Sequence, residues 1–428
     1  MSQYKVVIDG FNLAMPKGTG VATYARTLSK VLSNANCNVS VLYGLDVANN
    51  LNSSLKEVLF FEELTLSSPY RRDPFPSIKW WKRTYSHFRG REANEIFIKE
   101  KVDYHLFQER MPAFDHIFNV PFLFQMASGF FKKTGRFLEI KLSNAPDIAH
   151  WTYPLPIRIV GAKNIYTIHD IVPLKMPSTT LDDKKFYYSL LKKIVKSSDF
   201  ICTISNTSLN DITSFFPDAR NKIYNTYQVS SFNAGINEYS SGIREVERLF
   251  GLKNESFFLF FGQLEPKKNI GRLIESFISS NSKHPLVLVG SNGWKEEDEL
   301  RFLQRGIDLG VIFHIPYLPA HHLALLIRHA RAVLFPSISE GFGLPILEAF
   351  NLGTPVLTAN IGATKEIAGD AAVLVDPYSR EDIKKGIELL GADDDLCDSL
   401  RTKGYERAFF FSEDNYRDRL MELYRMVL

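Results

Sequence analysis

The chain has 428 residues, of which 45% are hydrophobic and 23% are charged, and its formal net charge is +3. These values are typical of a globular protein with room for two domains, and they argue against a disordered chain. The three cysteines show no paired spacing, the first residues lack the features of an export signal, and no apolar run approaches the roughly 20 residues that span a bilayer, so we expect a cytoplasmic protein.

Charge is distributed unevenly between the two halves of the chain. Residues 1–235 contain 29 basic and 20 acidic side chains, whereas the remainder contains 22 and 28, so the halves are expected to meet different partners. No nucleic-acid motif accompanies the basic half, and nucleic acid is not an expected partner. Aromatic and basic residues alternate at Trp80 to Arg91 and at Val120 to Lys133. Two interpretations stay open for these stretches: peripheral contact with the anionic inner face of a membrane, or rings packed in the core.

The first predicted unit is a strand, a glycine-containing loop and a helix. Tyr4 to Ile8 is an apolar strand, Gly10, Gly18 and Gly20 lie in the loop, and apolar residues from Val21 onward recur at helical spacing. Any Rossmann-like unit can begin in this way. The pattern by itself therefore favours a fold rather than a particular ligand.

The regular alternation of strands and helices fades between about Ser68 and Ala149, which indicates an insertion or a diverged region. It resumes at Asn164 to His169, a strand of the fully buried type. This strand delivers His169 and Asp170 at its carboxyl end, where open parallel sheets bind their ligands. A single histidine at such a position is more often structural than functional.

A linker and a second α/β unit follow. Lys222 to Val229 is predicted to be the last strand of the first half, and Ser230 to Ser241 has the serine, glycine and asparagine content of a linker. Phe257 to Phe261 then forms an apolar strand. Lys267 and Lys268 lie in the loop after it, just before a helix that Asn269 can cap, and two lysines at such a position are usually solvated.

The rest of the chain repeats this pattern, with strands predicted at residues 286–289, 311–315, 333–335, 356–358 and 373–375. Strands that alternate with helices imply a parallel, doubly wound sheet, so the fold class is α/β with two Rossmann-like domains. We expect a first domain over residues 1–235 that contains the diverged region at 68–149, a second domain over 236–410, and a final helix over 411–428.

The stretch FPSISEGFGLPILEAFNLGTPVLT at residues 335–358 has the order strand, loop, helix, turn, strand. Gly341 and Gly343 remove side chains just before a helix N-terminus, so the free amides of the first turn can approach a phosphate group. Glu340 on the loop and Glu348 on the helix lie on either side of this position. Carboxylates beside a phosphate suggest binding of sugar hydroxyl groups, and therefore a nucleotide sugar. For a lone EGFG, an ordinary acidic helix N-terminus would be the better explanation.

This stretch resembles the E-x7-E signature of the retaining family-four glycosyltransferases, which have the GT-B fold. The matching residues are Glu340, Gly341, Phe342, Gly343, Pro345, Glu348 and Ala349. The resemblance implies that Glu340 lies near hydroxyl groups of the transferred sugar and that Glu348 binds the ribose. It also implies a donor-binding loop with backbone amides to offer, formed by Gly341, Phe342, Gly343 and Leu344.

Two elements of the first half resemble the same family. HDIVPL, which begins at His169, looks like the HD-x-x-P-L motif of family-four mannosyltransferases and related enzymes. The match implies that His169 touches the donor sugar, and that Asp170 shapes the loop or assists in donor binding. Gly18 and Gly20 match the glycine-rich loop that borders the cleft in GT-B proteins. In GT-B proteins the final segment, here residues 411–428, also returns to pack on the first domain.

The diphosphate clamp of the family is matched only in part. Lys268 aligns with the lysine of the element G-R-x-x-x-x-K-[NG], whereas Gln263 stands in the position of its arginine. One of two cations is missing, so Lys268 must carry more of the leaving-group charge, or another residue replaces the arginine. The resemblance makes Glu340, His169 and Lys268 the catalytic candidates, and it implies no metal ion and no cofactor besides the donor substrate.

The function implied by the resemblance is that of a retaining, metal-independent hexosyltransferase. It would move a sugar, with mannose from GDP-mannose as the best match, from a donor on the second domain to a glycan or lipid-linked glycan on the first, as in surface polysaccharide or lipopolysaccharide assembly. One alternative is a glycoside hydrolase in which Glu340 and Glu348 flank the scissile bond. The other is a non-catalytic scaffold that binds sugar nucleotides, for which Gln263 is the only hint.

Overall fold

The computed structural model describes residues 4–15, 20–48, 50–65, 90–99, 102, 103, 107, 111–230, 232, 242–291 and 302–428. Its strands are β1 (Lys5–Asp9), β2 (Asn38–Tyr43), β3 (Arg91–Glu92), β4 (Asn94–Ile96), β5 (His116–Asn119), β6 (Leu138–Lys141), β7 (Ile148–Trp151), β8 (Ile157–Ile159), β9 (Lys163–Thr167), β10 (Phe200–Thr203), β11 (Ile223–Asn225), β12 (Phe258–Phe261), β13 (Leu286–Val289), β14 (Ile312–Ile315), β15 (Ala332–Phe335), β16 (Val356–Ala359) and β17 (Val373–Val375).

The helices are α1 (Gly20–Asn34), α2 (Ser53–Thr65), α3 (Leu123–Thr134), α4 (Val172–Lys175), α5 (Lys184–Ser197), α6 (Asn206–Phe215), α7 (Ile243–Phe250), α8 (Ile270–Ser279), α9 (Leu303–Asp308), α10 (Ala320–His329), α11 (Leu344–Asn351), α12 (Gly362–Ala368), α13 (Arg380–Ala392), α14 (Asp394–Phe410) and α15 (Glu413–Val427). Short 3-10 turns cover Pro177–Thr179, Pro217–Lys222 and Pro266–Lys268. Among the helices of the described ranges, none combines the length and the hydropathy needed to cross a bilayer.

The first half of the chain builds an eight-stranded sheet in the order β11-β10-β9-β7-β1-β2-β5-β4. Neighbouring strands run parallel except β4, which is antiparallel to β5 at the edge. Chain order reverses between the central strands β1 and β7. In open parallel sheets such a switch point opens a crevice beside the carboxyl ends of the strands. The structure therefore directs attention to the loops that follow β1, β7 and β9.

The second half forms a six-stranded, fully parallel sheet in the order β14-β13-β12-β15-β16-β17. Its central strands FLFF, LVLV and AVLF are buried along their whole length, because helices cover both faces of the sheet. This sheet has its own switch point, between β12 and β15. The predicted α/β fold with parallel sheets in two domains is confirmed.

The diverged region contains regular elements where the structure describes it. Strand β5 joins the main sheet, and β3, β6 and β8 form a separate three-stranded parallel sheet. These strands contain only two to four residues each. Since alternation needs several residues to become visible, strands of this length leave almost no pattern in a sequence.

The aromatic residues of α3 are core residues. Phe124, Phe130 and Phe131 are buried together with Leu123 in the cluster beneath the first sheet. Helix α3 leaves its basic end at the surface, where Lys132 lies near Asp183. Of the two interpretations open for residues 120–133, packing of the rings in the core is therefore correct, while residues 80–89 lie outside the described ranges.

The last strand of the first half is shorter than predicted. Strand β11 ends at Asn225, not at Val229, because Tyr227 has a left-handed backbone with φ of 58° and its amide donates to Asn225 Oδ1 at 2.8 Å. Such a backbone cannot continue a strand. The predicted linker lies largely outside the described residues.

The final helix α15 returns to the first half, as predicted. Tyr424 is buried, and its hydroxyl group lies 2.9 Å from Nδ1 of His150 on β7. At the start of the helix, Glu413 accepts a hydrogen bond from Asn34 of α1 at 2.8 Å. Tyr224 of β11 donates to Glu422 at 2.7 Å. The helix therefore joins the core of a domain from which it is distant in sequence.

Candidate active site

Two loops of the second domain meet beside its switch point, one after β12 and one after β15. Lys268 Nζ of the first loop lies 2.5 Å from Glu340 Oε1 of the second, and Ser337 Oγ donates to the same oxygen at 2.6 Å. Both charged side chains are mostly buried, with 13% of Lys268 and 10% of Glu340 exposed. An ion pair with so little solvent around it is strong enough to fix the position of both groups.

Backbone contacts hold the two loops together. The amide of Ile338 donates to the carbonyl oxygen of Lys267 at 2.8 Å. Asn269 was expected to cap α8, but its backbone is left-handed and its side chain makes no capping hydrogen bond. The side-chain amide group of Asn269 instead donates through Nδ2 to the carbonyl oxygens of Pro336 and Pro377, at 3.1 and 2.7 Å. The residue therefore ties three loops to each other rather than closing a helix end.

The electrostatics of this cluster keep its groups charged. Burial alone would raise the pKa of Glu340, but the ammonium groups of Lys268 and Lys267 and the hydrogen bond from Ser337 hold it below its ordinary value. Burial would lower the pKa of Lys267, and the carboxylates of Glu340, Glu265 and Asp170 raise it instead. Two cations therefore lie near Glu340, whereas the resemblance to the clamp element singled out Lys268 alone.

Glu348 differs from Glu340 in its surroundings. It lies on α11, one turn and a half beyond the glycine loop, and its half-buried carboxylate has no hydrogen-bond or ion-pair partner among the described residues. Burial raises the pKa of Glu348 to about 7. A carboxyl group that is desolvated and left without a protein partner in a cleft is a candidate for ligand binding.

The glycine loop opens α11. Gly343 is the N-cap residue, and its φ of 104° is a conformation that residues other than glycine rarely adopt. Pro345 has no amide hydrogen, and the Ile346 amide donates to the Gly343 carbonyl oxygen at 2.9 Å. The amides of Gly343 and Leu344, at the positive end of the helix dipole, are therefore the ones that a ligand could use. Leu344 approaches Gly20 at the start of α1, where a Cβ atom at position 20 would lie 3.9 Å from Leu344 Cδ1. The N-termini of two helices therefore face each other across the cleft.

The first domain presents His169 at the opposite wall. His169 Nε2 lies 2.8 Å from the carbonyl oxygen of Thr152, which can only accept, so Nε2 carries the proton and Nδ1 is left as an acceptor. Burial lowers the pKa of His169, so the ring is neutral. The Tyr24 ring packs edge-on against the imidazole at 4.9 Å.

Thr152 is held in turn by a buried carboxylate at the end of β1. Asp9 Oδ2 accepts from the Thr152 amide at 2.5 Å, and Oδ1 accepts from the Phe11 amide at 3.2 Å. Burial raises the pKa of Asp9 to about 6, against the hydrogen bonds from Thr152, which lower it. Asp9 thus joins the loops after β1 and β7 and, through Thr152, sets the orientation of His169.

Gly341 brings the two predicted motifs into contact. A Cβ atom at this position would lie 2.7 Å from the His169 carbonyl oxygen and 3.2 Å from Asp170 Oδ2. Asp170 itself shapes its loop, because Oδ1 accepts from the Val172 amide at 2.9 Å. His169 and Asp170 therefore share one cleft with Glu340.

Two predicted residues occupy less direct positions, and a third is not described. The side chain of Phe342 is buried against the Phe411 ring at 5.5 Å, so only its backbone can face a ligand. Gln263, in the position of the missing arginine, is exposed. Gly18 lies outside the described residues.

Sequence reasoning missed or undervalued several residues at the junction of the domains. Ser205 Oγ donates to the carbonyl oxygen of Gly341 at 2.7 Å, and Ser208 Oγ donates to that of His169 at 2.7 Å. The sequence shows a polar loop that opens a helix, and in similar proteins such a loop faces the cleft, but the two carbonyl oxygens that it contacts here were not predicted. Glu366, which binds the start of the same helix, gave no signal, because its partners are about 160 residues away along the chain.

Residues 244–407 match the model of the family described as "Glycosyl transferases group 1". This range begins at α7 and includes the lysine loop, the glycine loop and both glutamates of the cleft. It therefore covers the second sheet and the helices that surround it, and it leaves the first domain unmatched.

Curated relatives align with half or more of the chain. The O-antigen chain mannosyltransferase B of Escherichia coli is 29% identical over 278 residues, which are 64% of this chain and 72% of the relative. The O-antigen chain mannosyltransferase RfbU of Salmonella typhimurium is 27% identical over 52% of this chain and 59% of its own length. The serotype-specific mannosyltransferase WbdA of Escherichia coli is 25% identical over 65% of this chain, which spans only 36% of WbdA.

Solved structures match the whole chain in fold. Sucrose-phosphate synthase from Thermosynechococcus elongatus aligns with a TM-score of 0.65 and 14% identity, over 99% of both chains. WaaG, a glycosyltransferase involved in lipopolysaccharide biosynthesis, aligns with a TM-score of 0.59 and 13% identity over 98% of both. At such identities the likeness concerns the fold alone, and that fold is GT-B.

Proposed function

We propose, from the premise that residues 244–407 match the group 1 glycosyltransferases, that this chain transfers mannose from GDP-mannose to a growing glycan with retention of configuration. The acceptor would be a glycan or lipid-linked glycan of a surface polysaccharide or lipopolysaccharide. The observation that carries the proposal is the contact between the loop of His169 and the loop of Glu340 through Gly341. This contact brings residues of both domains that could bind hydroxyl groups close to the proposed anion site.

The nucleotide end of the donor fits the second domain. Glu348, which has no partner among the described residues, would accept hydrogen bonds from the ribose hydroxyl groups. The diphosphate would lie at the N-terminus of α11, where backbone amides and the helix dipole favour an anion. Lys268 would neutralise the leaving group, and Lys267 is positioned to supply the second cation that Gln263 does not. Relatives named as mannosyltransferases and the HDIVPL motif support mannose as the transferred sugar.

In the reaction we propose, the bond between the anomeric carbon and the β-phosphate oxygen breaks as the acceptor oxygen bonds to the same face of that carbon. The acceptor proton passes to the departing phosphate oxygen, so no separate protein base is required. The ammonium groups and helix amides stabilise the negative charge that develops on the diphosphate, which is usually the largest catalytic contribution. His169 Nδ1, an acceptor, would hold a hydroxyl group of the mannose ring.

A thermal-shift screen with GDP-, UDP- and dTDP-sugars, followed by turnover assays, tests this proposal. GDP-mannose should raise the melting temperature most, because stabilisation follows ligand affinity. Turnover should release GDP and lengthen a mannose acceptor. Preferential stabilisation by a UDP- or dTDP-sugar would refute the choice of donor. Binding without turnover on any acceptor would favour the scaffold, and cleavage of simple glycosides would favour the hydrolase.

A peripheral contact with an anionic membrane would rest on the basic end of α3 rather than on its rings. Lys132, Lys133 and Arg136 are exposed there, and each cation near an anionic surface contributes about 1 kcal/mol. Replacing the three with Gln should reduce sedimentation with anionic liposomes at low salt. A parent protein that does not sediment under these conditions would refute the contact.

A further inference from the structure

Helix α6 of the first domain is capped by a carboxylate of the second. Glu366 on α12 accepts hydrogen bonds from the amides of Asn206 and Thr207, each at 2.7 Å, one to each carboxylate oxygen. The Thr207 hydroxyl group donates to the same side chain at 2.7 Å. The third amide of α6, that of Ser208, donates to the local N-cap residue Ser205 at 2.9 Å. The cap of this helix is therefore complete only when the two domains are together.

The hydrogen bonds of Glu366 constrain the orientation of the two helices as well as their distance. A carboxylate at a helix N-terminus interacts favourably with both the free amides and the helix dipole. Hydrogen bonds to a charged group are stronger than neutral ones and require close alignment. Because both oxygens of Glu366 are used, they fix the position and the rotation of α12 relative to the start of α6. On the other side, Arg407 donates to the carbonyl oxygens of Glu366 and Ile367 at 2.6 and 2.9 Å, which holds α12 itself.

The capped turn reaches directly into the cleft. Ser205 Oγ donates to the carbonyl oxygen of Gly341, next to Glu340, and Ser208 Oγ donates to that of His169. Both serines are buried, at 0% and 2% exposure, so water does not compete for these hydrogen bonds. One helical turn thus contacts a cross-domain carboxylate on its outer side and both site loops on its inner side.

We propose that Glu366 is a positioning residue for glycosyl transfer. By capping α6 across the cleft, it sets the register in which the His169 loop meets the Glu340 loop. Glu366 itself does not touch the substrate. The inference rests on glycosyl transfer in this cleft, but not on mannose or GDP. Since a misplacement of about 1 Å can reduce a rate by roughly 100-fold, a lost cap should act on turnover.

The test compares Glu366→Gln and Glu366→Ala with the parent, using whichever nucleotide sugar the parent turns over. Glutamine has the shape of the glutamate side chain, but one of its two acceptor oxygens is replaced by an NH2 donor, which cannot accept a hydrogen bond from the amide of Asn206 or Thr207. We expect kcat to fall by roughly 10- to 100-fold in both variants. The Kd of the free nucleotide should stay within about twofold, because its proposed ligands lie on the second domain. Glu381→Gln, a change of the same chemistry at an exposed helix start, is the matched control and should alter neither quantity.

Amide hydrogen exchange supplies a readout that does not depend on any substrate. In Glu366→Gln the amides of Asn206 and Thr207 should exchange at least tenfold faster, whereas the locally capped amide of Ser208 should change much less. An unchanged kcat, or unchanged exchange at Asn206 and Thr207, would overturn the proposal. A loss of nucleotide affinity by the same factor as kcat would also overturn it, because it would mean that Glu366 only supports the second domain. A parent that rejects GDP-mannose but uses another donor refutes the donor choice alone.

Discussion

Gly341 lies so close to His169 that a Cβ atom at position 341 would stand 2.7 Å from the His169 carbonyl oxygen. The atom it would meet belongs to the backbone and cannot turn away as a side chain would. Glycine is required at this position by the approach of another domain rather than by its own backbone angles. The two domains can therefore approach this closely only because residue 341 is a glycine.

Gly341→Ala should impair turnover more than folding. Forcing a methyl group into a filled contact costs typically about 1–3 kcal/mol, so kcat should fall by roughly 5- to 150-fold if this contact is needed for transfer. Gly129→Ala on α3 is the control, because a Cβ atom there meets nothing within 4 Å. The control should keep its activity and gain about 0.5–1 kcal/mol of stability. Equal kinetics for both variants would contradict this role of Gly341.

Replacement of the two glutamates should have separable effects. Glu348→Ala should weaken binding of the free nucleotide and of the full donor alike, by about 1–3 kcal/mol, because hydrogen bonds to a charged group are lost. Glu340→Ala should mainly lower kcat. Calorimetric titration with nucleotide, combined with steady-state kinetics, measures both effects. If neither variant changes the affinity for free nucleotide, the assignment of Glu348 to the ribose is wrong.

The raised pKa of Glu348 predicts a dependence of stability on pH. Burial raises this pKa from 4.5 to about 7, so the folded protein binds the proton more tightly than the unfolded chain does. Stability contributed by the neutral form is fully present below pH 4.5 and is lost as the pH rises through about 7. Glu348→Gln, which stays neutral, should therefore be more stable than the parent at pH 8, by at most about 3 kcal/mol, and equally stable near pH 4.5. Melting temperatures at both pH values measure this, and Glu381→Gln should show no such pH dependence.

His169 should titrate below the ordinary range of a histidine, and its neutral ring should carry the proton at Nε2. Its pKa is lowered by burial, and its Nε2–H group is engaged by the Thr152 carbonyl oxygen. Nitrogen chemical shifts of the histidine rings in the free protein should show an unprotonated Nδ1 at pH 8 and a titration midpoint below the ordinary histidine value of about 6.5. A midpoint at or above that value would contradict the effect of burial and would change the proposed role of this ring at the sugar.

Chelation of divalent metal ions should leave turnover unchanged. The charge on the departing diphosphate can be met by Lys268, Lys267 and the amides of α11, which together take the part that a metal ion plays in other transferases. Activity is measured in excess EDTA and after addition of Mg²⁺ or Mn²⁺. Activity that is abolished by EDTA and restored by either ion would contradict the prediction.

The parts of the fold that the sequence revealed are those with a local signature. Strands β12, β13 and β15 are uninterrupted apolar runs with a loop signal on each side, and their predicted bounds agree with the structure to within one residue. The glycine loop and the two glutamates were visible because a helix N-terminus that binds an anion needs glycines and free amides within a few positions. The strand predicted at Lys222 to Val229 was too long, since nothing in the local sequence indicated the left-handed backbone of Tyr227.

The parts that stayed hidden depend on contacts between distant segments. Asn269 has the composition of a helix cap, and only the neighbouring loops decide that its amide group binds the carbonyl oxygens of Pro336 and Pro377. Lys267 looked like a solvated lysine until Glu340 and Asp170 were placed beside it. Glu366 meets α6 through the arrangement of two domains, which no periodicity in either segment encodes.

The return of α15 to the first domain determines when that domain can be finished during synthesis. His150 is fully buried, and burial lowers its pKa to about 3, so its uncharged ring depends on the Tyr424 hydroxyl group for one of its two hydrogen bonds. A ribosome that has made residues 1–235 has not yet made Tyr424. Until α15 has been synthesised, the core of the first domain lacks the side chains that this helix contributes. A fragment that ends before α15 is therefore expected to aggregate unless a peptide of residues 413–428 is added. The domain that emerges first is therefore the last to complete its native packing.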